Sequence, residues 1–227
     1  MAFNFSPKTV TDGLILYLDA ANTKSYVSGS STWTDISKNN NNGTLTNGPT
    51  YSAANNGSIV FDGVDDYVAT NFIPSSSDYT FCVWGKSSSG GFSNRILGNG
   101  DSTAGLHGAD IIWAYSTNII YSVRRNGANN ATRDIQSSVI ANLATGWHYI
   151  VVTYNSSTGS VLYCDTIRVG TNAVTGFTST LPFRIGRDGN GADKFNGNIS
   201  QVSVYNRSLS ATEILQNYNA TKTRFGL

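Results

Sequence analysis

Residues 57–68 read Gly57-Ser58-Ile59-Val60-Phe61-Asp62-Gly63-Val64-Asp65-Asp66-Tyr67-Val68, which puts Asp62, Asp65 and Asp66 between two strand-like apolar runs. Three readings suit short carboxylates in that place. Aspartate ligates hard cations, shuttles protons, and closes hydrogen bonds to its own backbone in tight turns. Asp62-Gly63 favours the turn: glycine allows positive φ and the aspartate can form an Asx hydrogen bond. The three aspartates are therefore assigned mainly to structure, with Asp62 and Asp65 kept as candidate metal ligands.

The surrounding composition points the same way. Among 227 residues, Lys+Arg 15 against Asp+Glu 14 leaves a net charge of +1, so no field announces nucleic acid or a polyanion. Glu213 is the only glutamate, and acidity rests on aspartate, a poor helix former favoured in turns. Cys82 and Cys164 stand in apolar strand-like runs (FCVW, VLYCD) without CxxC or clustered spacing, so they are read as small buried hydrophobes rather than as a metal site. A disulfide between them is unforced. No apolar run approaches the roughly 20 residues needed to cross a bilayer, and no hydrophobic leader follows Met1, so a soluble chain without membrane insertion is expected.

Strand-like runs separated by Gly/Asn/Ser turns extend from end to end: 14–18, 58–61, 79–84, 110–115, 118–123, 147–154, 160–169 and 199–205. One all-β domain is the economical organisation. A single helix is expected near the C-terminus, where Ser210-Ala211-Thr212-Glu213 forms a capping box and Ile214, Leu215 and Tyr218 share an apolar face.

The order of GLILYLDA, DISKNNNNGTL, SIVFDGVDDYV, YTFCVWGK, GWHYIVVTYN, VLYCDTIRVG and FNGNISQVSVYNRSLSATEIL resembles laminin-G-like, concanavalin A-like lectin and glucanase domains. The resemblance implies a two-sheet antiparallel jelly-roll sandwich over 12–220 with a short C-terminal helix, an arm at 1–11 and a tail at 221–227. It implies that Phe61 and Tyr67 pack inward. The ending LSATEILQNYNATKTRFGL looks closest to versions in virus and phage structural proteins.

Glucanases of this fold carry a Glu-x-Asp-x-Glu strand motif, whose two glutamates act as nucleophile and acid/base; this chain has no such motif and no second glutamate. His107 and His148 belong to no recognisable triad, and His148 is read as a partly buried strand histidine. No enzyme is expected. The resemblance places calcium ligands in the loop holding Asp35 and Asn40, completed by an acidic pair that is Ser200-Gln201 here, so only weak calcium binding is expected and no cofactor is required. Trp33, Trp113, Tyr115 and Tyr121 are the candidate sugar-stacking rings. Phe3, Phe5 and Phe225, on the arm and tail, are candidate anchors for a partner. The resulting expectation is a non-enzymatic virion structural protein, a capsid decoration or tail subunit made in the host cytoplasm, displaying a lectin-like module toward host or environmental polysaccharide. Homo-oligomerisation stays open, and a soluble calcium-assisted lectin or adhesin is the alternative.

Overall fold

Strands form where the apolar runs were read, and the runs sort into two sheets. The computed structural model of the chain describes residues 7–74, 78–88, 94–99, 108–114, 118–125, 135–143, 145–173, 175, 181–188, 191 and 193–227. One sheet runs, in spatial order, β14 (Ile167–Asn172), β13 (Gly159–Cys164), β12 (His148–Asn155), β7 (Tyr79–Ser87), β16 (Asn196–Tyr205), β5 (Ser58–Asp62) and β4 (Thr50–Ser52). β16 is its hub: β7 lies along one side, while β5 and then β1 (Leu14–Asp19) share the other. The second sheet runs β11 (Ile135–Gln136), β10 (Ile119–Arg125), β9 (Gly108–Ala114), β8 (Arg95–Gly98), β15 (Arg184–Ile185), β6 (Tyr67–Thr70), β3 (Gly43–Thr46) and β2 (Thr32–Trp33). The strand pairs are antiparallel, and the architecture is the two-sheet jelly roll expected from the sequence.

Side-chain alternation explains the packing. Phe81, Val83, Ile150 and Val202 of the first sheet meet Val68, Leu97, Ile111 and Ile185 of the second in the main core. The opposite face of the first sheet carries Cys82, Trp84, Tyr149, Val151 and Tyr205, and these form a second core with Ile214 of α1 (Ala211–Thr221). A sheet covered on both faces needs apolar residues at every position. This is why YTFCVWG and HYIVVTY are buried at every position and largely apolar, whereas β6 alternates between buried and partly exposed. Cys82 and Cys164 are free thiols assigned to different cores, one on each face of the first sheet, so they do not pair.

The capping box forms as read: Ser210 Oγ accepts from Glu213 N and Glu213 Oε2 accepts from Ser210 N. The apolar face is different. Leu215 is 46% exposed, and Asn217 and Thr221 take its place beside Ile214. Each has a partner that makes its burial affordable. Asn217 accepts from Val10 N (2.8 Å) and donates to Tyr205 Oη (3.0 Å), and Thr221 Oγ1 accepts from Trp84 Nε1 (2.8 Å).

Both ends of the chain differ from the expected arm and tail. Lys222–Phe225 form a 3₁₀ turn whose Phe225 ring stacks 4.3 Å from Trp84 and lies 4.7 Å from Trp147. Phe225 is therefore not a free anchor for a partner; its ring packs against Trp84 of β7 and against Trp147. Val10, expected in the arm, is buried in the second core. Phe3 and Phe5 lie outside the described residues.

Candidate functional site

The Asp35 loop is a plug. Asp35 Oδ1 accepts from Tyr17 N and Ser37 N at 2.9 Å, and Oδ2 accepts from Ser37 Oγ and Asn41 N at 2.9 Å. Asn41 Nδ2 donates to Ile15 O (2.7 Å) and Asn39 Nδ2 to Leu14 O (3.3 Å), so the asparagine tract fastens the loop to β1. Asn40 adopts a left-handed φ of 59°, a conformation asparagine tolerates. Both oxygens of the expected calcium ligand thus already carry donors. Ser200 and Gln201 sit inside β16, both buried, with Ser200 Oγ donating to Gly57 O. The Asp35 carboxylate thus fastens its loop to β1.

The Asp62 turn behaves as read. Asp62 Oδ1 accepts from Val64 N (2.7 Å), Asp66 Oδ2 accepts from Asp62 N (3.0 Å), and Gly63 takes φ 78°. One carboxylate oxygen from each of Asp62, Asp65 and Asp66 falls within a 4.8 Å group. Calcium takes six to eight oxygens, and two of these carboxylates already serve the turn. Burial pushes the Asp66 carboxyl up; the Asp62 amide opposes this, and the Asp62 and Asp65 charges add to it. Tyr67 differs from expectation. It is half-buried and faces away from the core, with the Arg187 guanidinium 4.3 Å and Arg184 5.8 Å from its ring centroid.

Of the expected sugar-stacking rings, Trp33 is corrected to core: it is 0% exposed between the sheets and offers no face to a ligand. Tyr121 is half-buried on β10. Trp113 occupies the β9 position opposite Ile120, but its side chain, like Tyr115, lies outside the described residues.

A cleft of about 540 Å³ opens instead beside the start of β12, and sequence reasoning missed it. Trp147, Phe225, Asn55, Lys86, Asn142 and Asp165 contribute to its walls. Trp147 is only partly buried; Phe225 packs against it, and its Nε1 donates to Asn55 Oδ1 at 3.2 Å. At the floor, His148 Nδ1 lies 2.6 Å from Asp165 Oδ2, and Nε2 lies 3.2 Å from Asn142 O. Asp165 Oδ1 accepts from Tyr149 N (2.8 Å). Burial works against a charge on His148, but Asp165 and the Asn142 carbonyl outweigh it and raise its pKa. Burial and the Asp165 charge push the neighbouring Cys164 thiol up.

The turn that delivers Asp165 was hidden in the run 160–169. That run breaks into β13 and β14 at Asp165-Thr166, whose φ values are 48° and 74°. Two positive φ values in a two-residue loop define a type I′ hairpin. The signal was an aspartate between two apolar strands, without the usual glycine after it.

Among the described residues, the remaining carboxylates near one another are engaged in pairs. Glu213 is held by a two-pronged contact from Arg207 (2.6 and 3.1 Å), which lowers its pKa to about 2. Asp193 lies 2.8 Å and Asp188 3.8 Å from the buried Arg95 guanidinium.

Comparison with known proteins places these features. The family described as the concanavalin A-like lectin/glucanases superfamily, in its laminin G form, matches residues 61–215. The fold is similar to the binding domain of Paraclostridial Mosquitocidal Protein 1, at 17% identity and TM-score 0.70, covering 92% of this chain and 52% of that one. It is similar to Trypanosoma rangeli sialidase at 16% identity and TM-score 0.67, covering 93% and 33% of the two chains. Domain 4 of AbnA, a GH43 extracellular arabinanase from Geobacillus stearothermophilus solved with arabinotriose, matches at 12% identity and TM-score 0.65 over 90% and 97%. This chain thus spans about half of the Mosquitocidal Protein 1 chain and a third of the sialidase. None of the curated proteins matches it.

Proposed function

The chain belongs to the concanavalin A-like lectin/glucanases superfamily, and on that premise we propose that it is a non-catalytic carbohydrate-binding module. The observation that carries this reading is the cleft. A partly exposed indole offers apolar surface to sugar C–H groups, and the side chains of Asn142 and Lys86 in the same walls supply donors and acceptors for hydroxyls. Hydrolysis needs two carboxyl groups facing one glycosidic bond. Among the described residues, the cleft walls contain one carboxylate side chain, Asp165, and it is bonded to His148. Binding without turnover fits that inventory.

Trp147→Ala is expected to weaken oligosaccharide binding about tenfold, the order of one lost aromatic contact, measured by calorimetric titration on a variant whose circular dichroism matches wild type. Tyr67→Ala, on the outer face of the other sheet, is expected to leave affinity unchanged. The reverse pattern would move the binding site to that face.

We further propose that this module is displayed on a virion, as a capsid or tail subunit; the support is the resemblance of residues 209–227 to the endings of virus and phage structural proteins. With Phe225 packed against Trp84 and Trp147, Phe3 and Phe5 remain the candidate anchors; their i, i+2 spacing is one that would place two side chains on the same side if the segment paired as a strand with a partner. Replacing both with serine is expected to abolish co-sedimentation with particles lacking this protein, at unchanged thermal stability. Equal co-sedimentation would remove the arm from the attachment model and favour a free lectin.

A further inference from the structure

We propose that His148, Cys164 and Asp165 form a zinc site with its fourth position open to the cleft. β12 and β13 are neighbours with Ile150 opposite Cys164, so His148 and Cys164 lie on the same, core-facing side of the sheet, two residues apart in register. The type I′ turn then folds Asp165 back over both.

The triangle of donor atoms is close to one face of a zinc tetrahedron. Cys164 Sγ lies 3.8 Å from His148 Nδ1 and 3.8 Å from Asp165 Oδ2, and the nitrogen and oxygen are 2.6 Å apart. Zinc bond lengths of about 2.3 Å to sulfur and about 2.1 Å to nitrogen and oxygen imply edges of about 3.6 Å to sulfur and about 3.4 Å between nitrogen and oxygen. The sulfur edges therefore match to about 0.2 Å, and the short edge opens by about 0.8 Å when the metal takes the place of the proton between His148 and Asp165. That proton and the thiol proton pass to solvent.

Two of the three ligands already have the outer partner that metal ligands use. His148 Nε2 keeps its proton for the Asn142 carbonyl at 3.2 Å, which fixes Nδ1 as the ligating nitrogen. Asp165 Oδ1 is held by Tyr149 N at 2.8 Å, which leaves Oδ2 for the metal. The mixed nitrogen, sulfur and oxygen set selects a borderline cation such as zinc over calcium or magnesium, which take oxygen alone. Water from the cleft completes four-coordination.

The test uses the full chain freed of metal with a chelator. One equivalent of cobalt(II) is expected to give a tetrahedral visible spectrum with a thiolate-to-metal charge-transfer band, and zinc to displace it and raise the melting temperature. Cys164→Ser removes the band and weakens zinc at least as much as the roughly 10–100-fold that outer-shell changes cost. Cys82→Ser, whose thiol lies on the other face, keeps both. His148→Gln, with a neutral side chain of similar reach, provides a second variant should the serine form fold poorly, and it too loses zinc. A wild-type protein with neither band nor zinc stabilisation overturns the assignment, as does a band that survives Cys164→Ser.

Discussion

Replacing Arg224 by methionine is expected to lower the unfolding free energy by about 3–5 kcal/mol, the cost of leaving one partner of a buried ion pair alone. Asp19 is 1% exposed, and the Arg224 guanidinium meets both its oxygens, at 2.8 and 2.9 Å. Without Arg224, Asp19 keeps the Ala21 amide at 3.0 Å and a 3.5 Å contact from Tyr17 Oη, too little to replace the lost charge. Methionine preserves the aliphatic stem, so the loss reads the charge rather than the packing. Urea unfolding measures it, and the melting temperature should fall by roughly 6–20 °C. Asp19→Asn combined with Arg224→Met should cost clearly less than the two single changes added together. A loss below about 1 kcal/mol, typical of solvent-exposed pairs, would mean that the C-terminal turn is not fastened there.

Asp35→Ala is expected to cost about 3 kcal/mol or more, with the same value in calcium and in chelator. The change removes four hydrogen bonds to one carboxylate, two of them anchoring the backbone of Tyr17 and Asn41 across the loop. Donors to a charged acceptor are worth about 1.5–3 kcal/mol each, though not additively, and the abandoned amides keep their desolvation cost. A wild-type melting temperature that rises with calcium and stops doing so in the variant would return Asp35 to the metal ligands.

The sandwich was legible because strand runs and turn residues are local. The capping box at Ser210 and the Asx turn at Asp62 were equally plain, each defined by residues within five positions. What was not legible depends on contacts across the fold. Trp33 sits in a polar stretch, yet it is buried between the sheets, and only the tertiary packing reveals this. Leu215 and Asn217 exchange their expected faces because Asn217 finds Val10 and Tyr205, residues far away in sequence. The cleft joins Asn55, Lys86, Trp147 and Asp165 from four separate segments, and no spacing rule links them. Phe225 looked free because its partners, Trp84 and Trp147, are distant in sequence.

The most direct test of the central claim is a glycan array probed with the full chain, followed by mass analysis of oligosaccharide hits after prolonged incubation with the protein. Retention of a defined set of hydroxyl-rich oligosaccharides, recovered at unchanged mass and released by Trp147→Ala, is the predicted result. Retained glycans that return shortened would show a hydrolase, and an array without any retained glycan would contradict the carbohydrate-binding reading.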